Sequence, residues 1–314
     1  MSVKKWPADI NEYELGSIIG NGNFSKVYLA ENDSRKCVIK KIDCTGNNIN
    51  IYTVKQELTA MRMCNHPNIL NHYRSFYEEN MLYIIMPFSE HGSLQYIISA
   101  RIHMVNDSTK PLFQEKIIAI ITHEICKGLE HLHSRGWVHR DIKSPNILIN
   151  KEGHVQITDF GVVGMKEDSE CISNTNNAYK TFVGTVCWMA PEIMTQHNGY
   201  NNKVDIWSLG ICVLELLKGY PPYYYLRPMK SMLRTIRDEP PCLDTYKEFE
   251  IEGTNRNFSI NVKHFVKQLL HKNPELRPSA TKCMTLAFIK KFSNSETNRK
   301  ILCDELLCNL DKLE

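Results

Sequence analysis

Residues 202–218 are apolar on every side: Val204, Ile206, Trp207, Leu209, Ile211, Val213, Leu214, Leu216 and Leu217 leave no polar stripe. A helix of that kind must be enclosed by other helices, so the chain has to build a helical domain around it. Lys218-Gly219 and then Pro221-Pro222 set its end. A second long helix is expected over 115–133, with Ile117, Ile121, Ile125, Leu129 and Leu132 along one side. The first third has another rhythm. Short β-branched and aromatic runs at 13–19, 26–30, 36–42, 70–76 and 81–86 predict strands, parted by turn-formers at 20–22, 31–34 and 78–80. One helix interrupts them, over 52–63. Thr53 and Gln56 have capping-box spacing there, and Val54, Glu57, Leu58 and Met61 share a face. The expected fold is α+β and bilobed: a small β-rich lobe, a connector at 87–92, and a larger α-helical lobe. A chain of 314 residues has the length for both.

Composition narrows the function classes. Lys and Arg number 38 against 35 Asp and Glu, so no global field draws the chain onto nucleic acid or a membrane surface. Eleven cysteines are scattered singly with no CxxC pair, the pattern of reduced thiols in a cytosolic or nuclear protein. The opening MSVKKWPADI has no apolar leader core, and Ser2 cannot be myristoylated. The most apolar stretch, 206–217, is short and carries Glu215, so membrane insertion is not expected. The Asn/Ser-rich stretch 169–177 reads as a loop.

Gly20-Asn21-Gly22-Asn23-Phe24-Ser25 lies between two expected strands. It can be a plain hairpin turn, or a lid whose bare backbone approaches phosphates where side chains would clash. No Gly-Lys-Ser/Thr follows, so it is not a Walker loop, and a strand rather than a helix comes next. Lys40 ends the run Cys37-Val38-Ile39-Lys40. It is either a solvated edge charge or a phosphate-gripping ammonium, and the second role needs a carboxylate to fix it. Glu57 is the candidate.

His139-Arg140-Asp141-Ile142-Lys143-Ser144-Pro145-Asn146 is followed by Ile147-Leu148-Ile149, then by Asp159-Phe160-Gly161 and Ala190-Pro191-Glu192. With the glycine loop and strand lysine ahead of it, this order resembles the eukaryotic protein kinase family over residues 13–292. The resemblance implies ATP and Mg²⁺ as cofactors and a bilobed fold with lobes at 13–88 and 89–292. Residues 1–12 would then be an extension and 293–314 a helical tail. Phosphoryl transfer spreads negative charge over oxygens, so catalysis is mostly positioning plus cations. By resemblance Asp141 accepts the proton of the substrate hydroxyl and Lys143 steadies the γ-phosphate, as in Ser/Thr kinases. Lys40, held by Glu57, grips the α/β-phosphates, and Asn146 and Asp159 hold Mg²⁺. The ATP pocket comprises Ile19, the loop Gly20 to Ser25, Lys26, Val27 and Val38. Met86 is its gatekeeper, and the C=O of Pro87 with the N–H and C=O of Ser89 receives adenine. His139 reads as a packing residue rather than a base.

Lys180 to Glu192 looks like the sterile-twenty-like group of Ser/Thr kinases, nearest its oxidative-stress-responsive and proline/alanine-rich members. Trp6, the stretch 205–210 and Arg277-Pro278 match as well, while Val186 stands where that pattern has Pro. Thr181 is the expected regulatory phosphosite, phosphorylated by an upstream kinase or by the protein itself. Its phosphate would pair with Arg140. The same threonine can also be an ordinary loop residue. By resemblance the hydroxyl of Thr185 contacts Asp141 and Lys143 at the substrate-docking side, and Glu192 pairs with Arg277. Tyr179, Ser173 and Thr175 have no special warrant. A polar break at 293–298 precedes Leu302, Leu306, Leu310 and Leu313 at helical spacing, which predicts a short helix packed on the large lobe. The C-terminal peptide-capturing module of the nearest members is expected to be absent, so with-no-lysine kinases and cation–chloride cotransporters are not carried over as partners. The implied function is an ATP-dependent Ser/Thr protein kinase acting on protein substrates. The alternative is a pseudokinase scaffold that binds nucleotide and partners without turnover. A small-molecule kinase is disfavoured, because it has no need of the peptide platform at 184–192.

Overall fold

A computed structural model of the chain describes residues 5–21, 25–45, 58–59, 63–105, 111–159, 164–165, 186–195, 200–248 and 257–310. Its first part is a five-stranded antiparallel sheet in the order β1-β2-β3-β5-β4: β1 (Glu14–Asn21), β2 (Ser25–Asn32), β3 (Arg35–Asp43), β4 (Arg74–Glu78) and β5 (Met81–Pro87). Two-residue turns close two of its hairpins. Asp33 and Ser34 have φ of 49° and 60°, and Glu79 and Asn80 have 46° and 61°. Positive φ at both central residues gives the turn twist that matches paired strands. Alternation along β3 sends Cys37 and Ile39 to one face, where they join a small core with Tyr13, Ala30, Tyr83 and Ile85. Val38 and Ile42 join the main core on the other face, which Lys40 shares. Trp6 closes the small core from outside. It stacks on Tyr73 with ring centroids 4.7 Å apart, and the Arg35 guanidinium lies 4.2 Å from its ring centre.

The expected strand at 70–76 begins only at Arg74. Residues 68–70 pair instead with the second part of the fold: Leu70 N–H donates to the Ile157 carbonyl (2.8 Å) and Ile157 N–H to that of Asn68 (2.9 Å). Leu70 is apolar because it is buried at the join between the two parts, not because it lies in the sheet. The helix expected over 52–63 falls mostly outside the described residues; Leu58 and Thr59 within it are helical.

The larger part is helical: α1 (Leu94–Met104), α2 (Glu115–His133), α3 (Pro191–Thr195), α4 (Lys203–Lys218), α5 (Pro228–Arg237), α6 (Ile260–Leu269), α7 (Ala280–Cys283) and α8 (Ser295–Glu305). The apolar α4 is its axis, buried from Val204 to Leu217 and ended by Gly219 in the left-handed region at φ 95°. Short ribbons β6 (Trp137–Val138) with β9 (Gly164–Met165), and β7 (Ile147–Ile149) with β8 (Val155–Ile157), line the join.

The end of the chain departs from expectation. α8 starts inside the supposed polar break, capped by the Asn294 side chain on Thr297 N–H. Two of the polar residues there, Ser295 and Asn298, point inward. Buried Glu124 of α2 accepts hydrogen bonds from Ser295 Oγ (2.8 Å), Asn298 Nδ2 (2.9 Å) and Asn68 Nδ2 (2.9 Å). Burial opposes its charge, but these donors together with His123 outweigh it and hold the carboxyl far below the usual range. Leu302, Leu306 and Leu310 are buried as expected; Leu313 lies outside the described residues.

Candidate active site

The join between the parts gathers much of the expected site. The loop after β6 carries Asp141 and Lys143, whose Oδ2 and Nζ are 2.7 Å apart. A 3-10 turn at Ser144–Asn146 returns Asn146 to the same carboxylate: its Nδ2 donates to Asp141 Oδ2 (2.9 Å) and to the Asp141 carbonyl (2.8 Å). Burial pushes the Asp141 carboxyl above its ordinary range, against the opposing pull of Lys143 and His139. Such a group is shaped to accept a hydroxyl proton.

Opposite stands Asp159, just after β8. The Lys40 ammonium, reaching from β3, lies 3.0 Å from Asp159 Oδ1 and holds that carboxyl down to about 2. The Asp159 side chain remains 44% exposed, so solvent screens the pair and the carboxylate can also turn to a cation. Thr158 N–H donates to the Asn146 carbonyl (2.9 Å), which ties the two halves of the site together. Asp159 and Arg140 sit at φ 65° and 70°, a region that costs a non-glycine residue energy and that clusters at functional sites.

The catalytic loop is hung from α4. Fully buried Asp205 accepts from the backbone N–H of His139 (2.9 Å) and of Arg140 (2.8 Å), and its Oδ2 lies 2.8 Å from His133 Nε2. Burial works against its charge, but these bonds hold the carboxyl below its usual range. His139 is wholly buried, with Nε2 at 3.1 Å from the Thr158 carbonyl and Nδ1 accepting from Asp141 N–H, so it packs and orients. Sequence reasoning had not given Asp205 a task. The signal was present, since an aspartate inside an otherwise apolar helix needs buried donors.

Met86 is buried on β5 beside Val38, its register partner on β3, and Val27 packs beside them. Pro87 ends β5 and Ser89 is buried. The Ser89 carbonyl already accepts from Gly92 N–H (3.0 Å), which closes a turn there. Gly20 lies opposite Val27, and a Cβ on it would come within 3.3 Å of the Val27 side chain, so a bare backbone suits the crossing. Ile19 is half exposed, and Asn21, Ser25 and Lys26 flank the loop. Gly22, Asn23, Phe24, Glu57, Phe160, Gly161, Thr181 and Thr185 lie outside the described residues, as do Tyr179, Ser173 and Thr175.

Beyond the loop, Val186, Cys187 and Trp188 form a 3-10 turn. Glu192 of α3 meets Arg277 in a two-pronged pair, Oε1 to Nη1 at 2.6 Å and Oε2 to Nη2 at 2.9 Å. Arg277 is buried and lies 5.0 Å from the centre of the Trp207 ring. The donor set at the join suits Mg²⁺: Asp159 offers a carboxylate, and Asn146, its amide nitrogen committed to Asp141, offers a carbonyl oxygen.

Comparison with known proteins agrees with this geometry. The family described as "Protein kinase domain" matches residues 13–289. The chain is 35% identical over 310 residues to "Germinal center kinase 3" of Caenorhabditis elegans, covering 98% of this chain and 51% of that protein. It is 37% identical over 295 residues to "Serine/threonine-protein kinase fray2" of Dictyostelium discoideum, covering 92% and 26%. "Serine/threonine-protein kinase fray1" of the same organism is 35% identical over 309 residues, covering 96% and 49%. The chain thus spans about half of these relatives, or less.

Proposed function

The chain belongs to the protein kinase family, its domain being a Ser/Thr kinase domain of the sterile-twenty-like group, and we propose that it transfers the γ-phosphoryl of Mg-ATP to Ser and Thr hydroxyls of protein substrates in a signalling cascade. The observation that carries this reading is the meeting of Asp141, Lys143 and Asn146 with the Lys40–Asp159 pair across the join. Asp141 takes the proton of the attacking hydroxyl and aims its oxygen. Lys143 holds Asp141 in place and faces the transferred group. Lys40 leaves Asp159 for the α/β-phosphates when nucleotide enters. Asp159 and Asn146 would hold Mg²⁺, which neutralises charge on the phosphate oxygens. Adenine lies between Ile19, Val27 and Val38 below Met86, bonded to the Pro87 C=O and the Ser89 N–H. The loop from Gly20 to Ser25 and Lys26 covers the phosphates, and Glu57 fixes Lys40.

Control rests on Thr181, phosphorylated by an upstream kinase or by the protein itself, with Arg140 as the phosphate's partner. Thr185 docks the substrate side beside Asp141 and Lys143. Kinship with the oxidative-stress-responsive and proline/alanine-rich kinases is supported by Trp6, which anchors residues 5–13 to the small core. The domain occupies 13–292, with lobes at 13–88 and 89–292, and works in the cytoplasm or nucleus. No helix among the described residues is long and apolar enough to cross a membrane.

The test is transfer of labelled γ-phosphate to a Ser/Thr peptide array by wild type, Asp141→Asn and Thr181→Ala. Wild type is expected to label peptides and Asp141→Asn not to. Equal labelling by those two overturns the kinase reading. Thr181→Ala is expected to label about tenfold less or weaker still, the worth of an ordered loop held by one charge-assisted contact. Equal labelling by Thr181→Ala overturns only the switch.

A further inference from the structure

Two acids interrupt the apolar α4. Asp205 holds the start of the catalytic loop, through His139 and Arg140. Glu215 holds its far end: Ser144 Oγ, next in sequence to Lys143, donates to Glu215 Oε1 at 2.6 Å. The other oxygen, Oε2, accepts from Trp188 Nε1 at 3.0 Å. Trp188 belongs to the 3-10 turn on the substrate side, and Ser208 Oγ pins its carbonyl at 2.8 Å. Glu215 is only 3% exposed, so neither bond competes with water. One carboxylate therefore joins the segment that carries Lys143 to the segment that leads into Ala190-Pro191-Glu192. Among the described residues, the hydrogen bonds to its oxygens come from Ser144 and Trp188.

We propose that Glu215 is a positioning residue that sets the distance between the catalytic loop and the peptide platform, so that its carboxylate governs protein-substrate presentation and not nucleotide binding. This rests on the kinase reading above. Ser144, through its hydroxyl and its backbone N–H, and Trp188 are neutral donors, which unlike a cation leave much of the cost of burying the charge in place. Burial pushes the Glu215 carboxyl up to about 7, with Ser144 and Trp188 pulling the other way. Among the described residues, the titratable groups coupled to it are the thiols of Cys187, from the turn, and Cys212, from α4 itself. Burial raises both, so they stay neutral near pH 7. The nearest charged pair on the loop, Asp141 and Lys143, acts on Cys212 with opposing signs. Protonation of Glu215 turns its charge-assisted hydrogen bonds with Ser144 and Trp188 into weaker neutral ones, which loosens the join.

The experiment measures KM for peptide and for ATP, and kcat, between pH 6 and 8.5 as an on-the-order-of-neutral window around that titration. It compares wild type, Glu215→Gln, which mimics the protonated acid, and Ser144→Ala, which removes one hydroxyl and serves if the glutamine variant does not fold. In parallel the indole Nε1–H resonance of Trp188, assigned by its loss in Trp188→Phe, is followed against pH by NMR. Wild type is expected to show a peptide KM that rises on acidification, and an indole signal that titrates over the same range. Glu215→Gln is expected to show a peptide KM raised about tenfold, the worth of one hydrogen bond to a charged acceptor, flat with pH, with ATP KM unchanged and a pH-invariant indole signal. Ser144→Ala should raise the peptide KM alone. A glutamine variant with wild-type peptide KM and acid limb overturns the proposal, and so does an equal rise in both KM values. Wild type that transfers no phosphate overturns the kinase reading instead, while the indole signal still decides whether Glu215 titrates against Trp188.

Discussion

Asp141→Asn is expected to lower kcat by about 10²–10⁴-fold, the usual worth of a positioned general base, with ATP affinity nearly unchanged. Asparagine keeps the shape and one acceptor oxygen, so Asn146 can still donate to it. It loses the negative charge that meets Lys143 at 2.7 Å and the capacity to take a proton. Steady-state kinetics with a fixed peptide, beside nucleotide titration by calorimetry, separates the two effects. A variant that keeps its kcat would remove Asp141 from the chemistry. Raised ATP Kd with intact kcat would move it to nucleotide binding.

The largest effect on stability is expected from Glu192→Ala. Arg277 is buried, and Glu192 binds both of its terminal nitrogens. Among the described residues its remaining hydrogen-bond acceptors are carbonyls, those of His271, Lys203 and Lys272, and beside it lies the Trp207 ring; none of these carries a negative charge. Removing the carboxylate leaves a buried cation, which costs about 3–5 kcal/mol. Urea unfolding should show the midpoint falling with the slope unchanged. Replacing the pair together, as Glu192→Leu with Arg277→Met, should recover part of the loss, because desolvation is then avoided on both sides. If the single variant unfolds at the wild-type midpoint, the pair is not holding α3 to the large lobe.

Most of the architecture could be read from the residues because it rests on patterns that local chemistry writes down. The helix expected over 115–133 matches α2 (Glu115–His133), and the all-apolar run at 202–218 is the axis α4. Apart from β4, which starts four residues late, the hairpin strands fell within a residue or two, because the polar pairs Asp33-Ser34 and Glu79-Asn80 fix their turns. The catalytic cluster was legible through its fixed spacings. Partnerships between distant segments were not. Leu70 looks like a strand residue until its carbonyl and amide neighbours across the join are known. Glu215 served only to argue against a membrane span, and its donors lie 71 and 27 residues away. Ser295 and Asn298 read as a polar spacer because nothing near them in sequence shows that their side chains turn inward. A buried acid in an apolar helix announces that donors must exist, but not which ones.

Glu124 has a practical consequence for where this protein can be cut. The family match stops at residue 289, which invites a shorter fragment lacking the last helix. Such trimming would strip away Ser295 and Asn298, leaving the Glu124 anion with Asn68, Lys127 and the more distant His123 beside it in the interior. Asn68 is also the residue whose carbonyl fastens the small lobe's approach to β8. The final helix is thus a keystone for the hinge region rather than an appendix, and a fragment without it would lose rigidity far from the cut, where the two lobes meet.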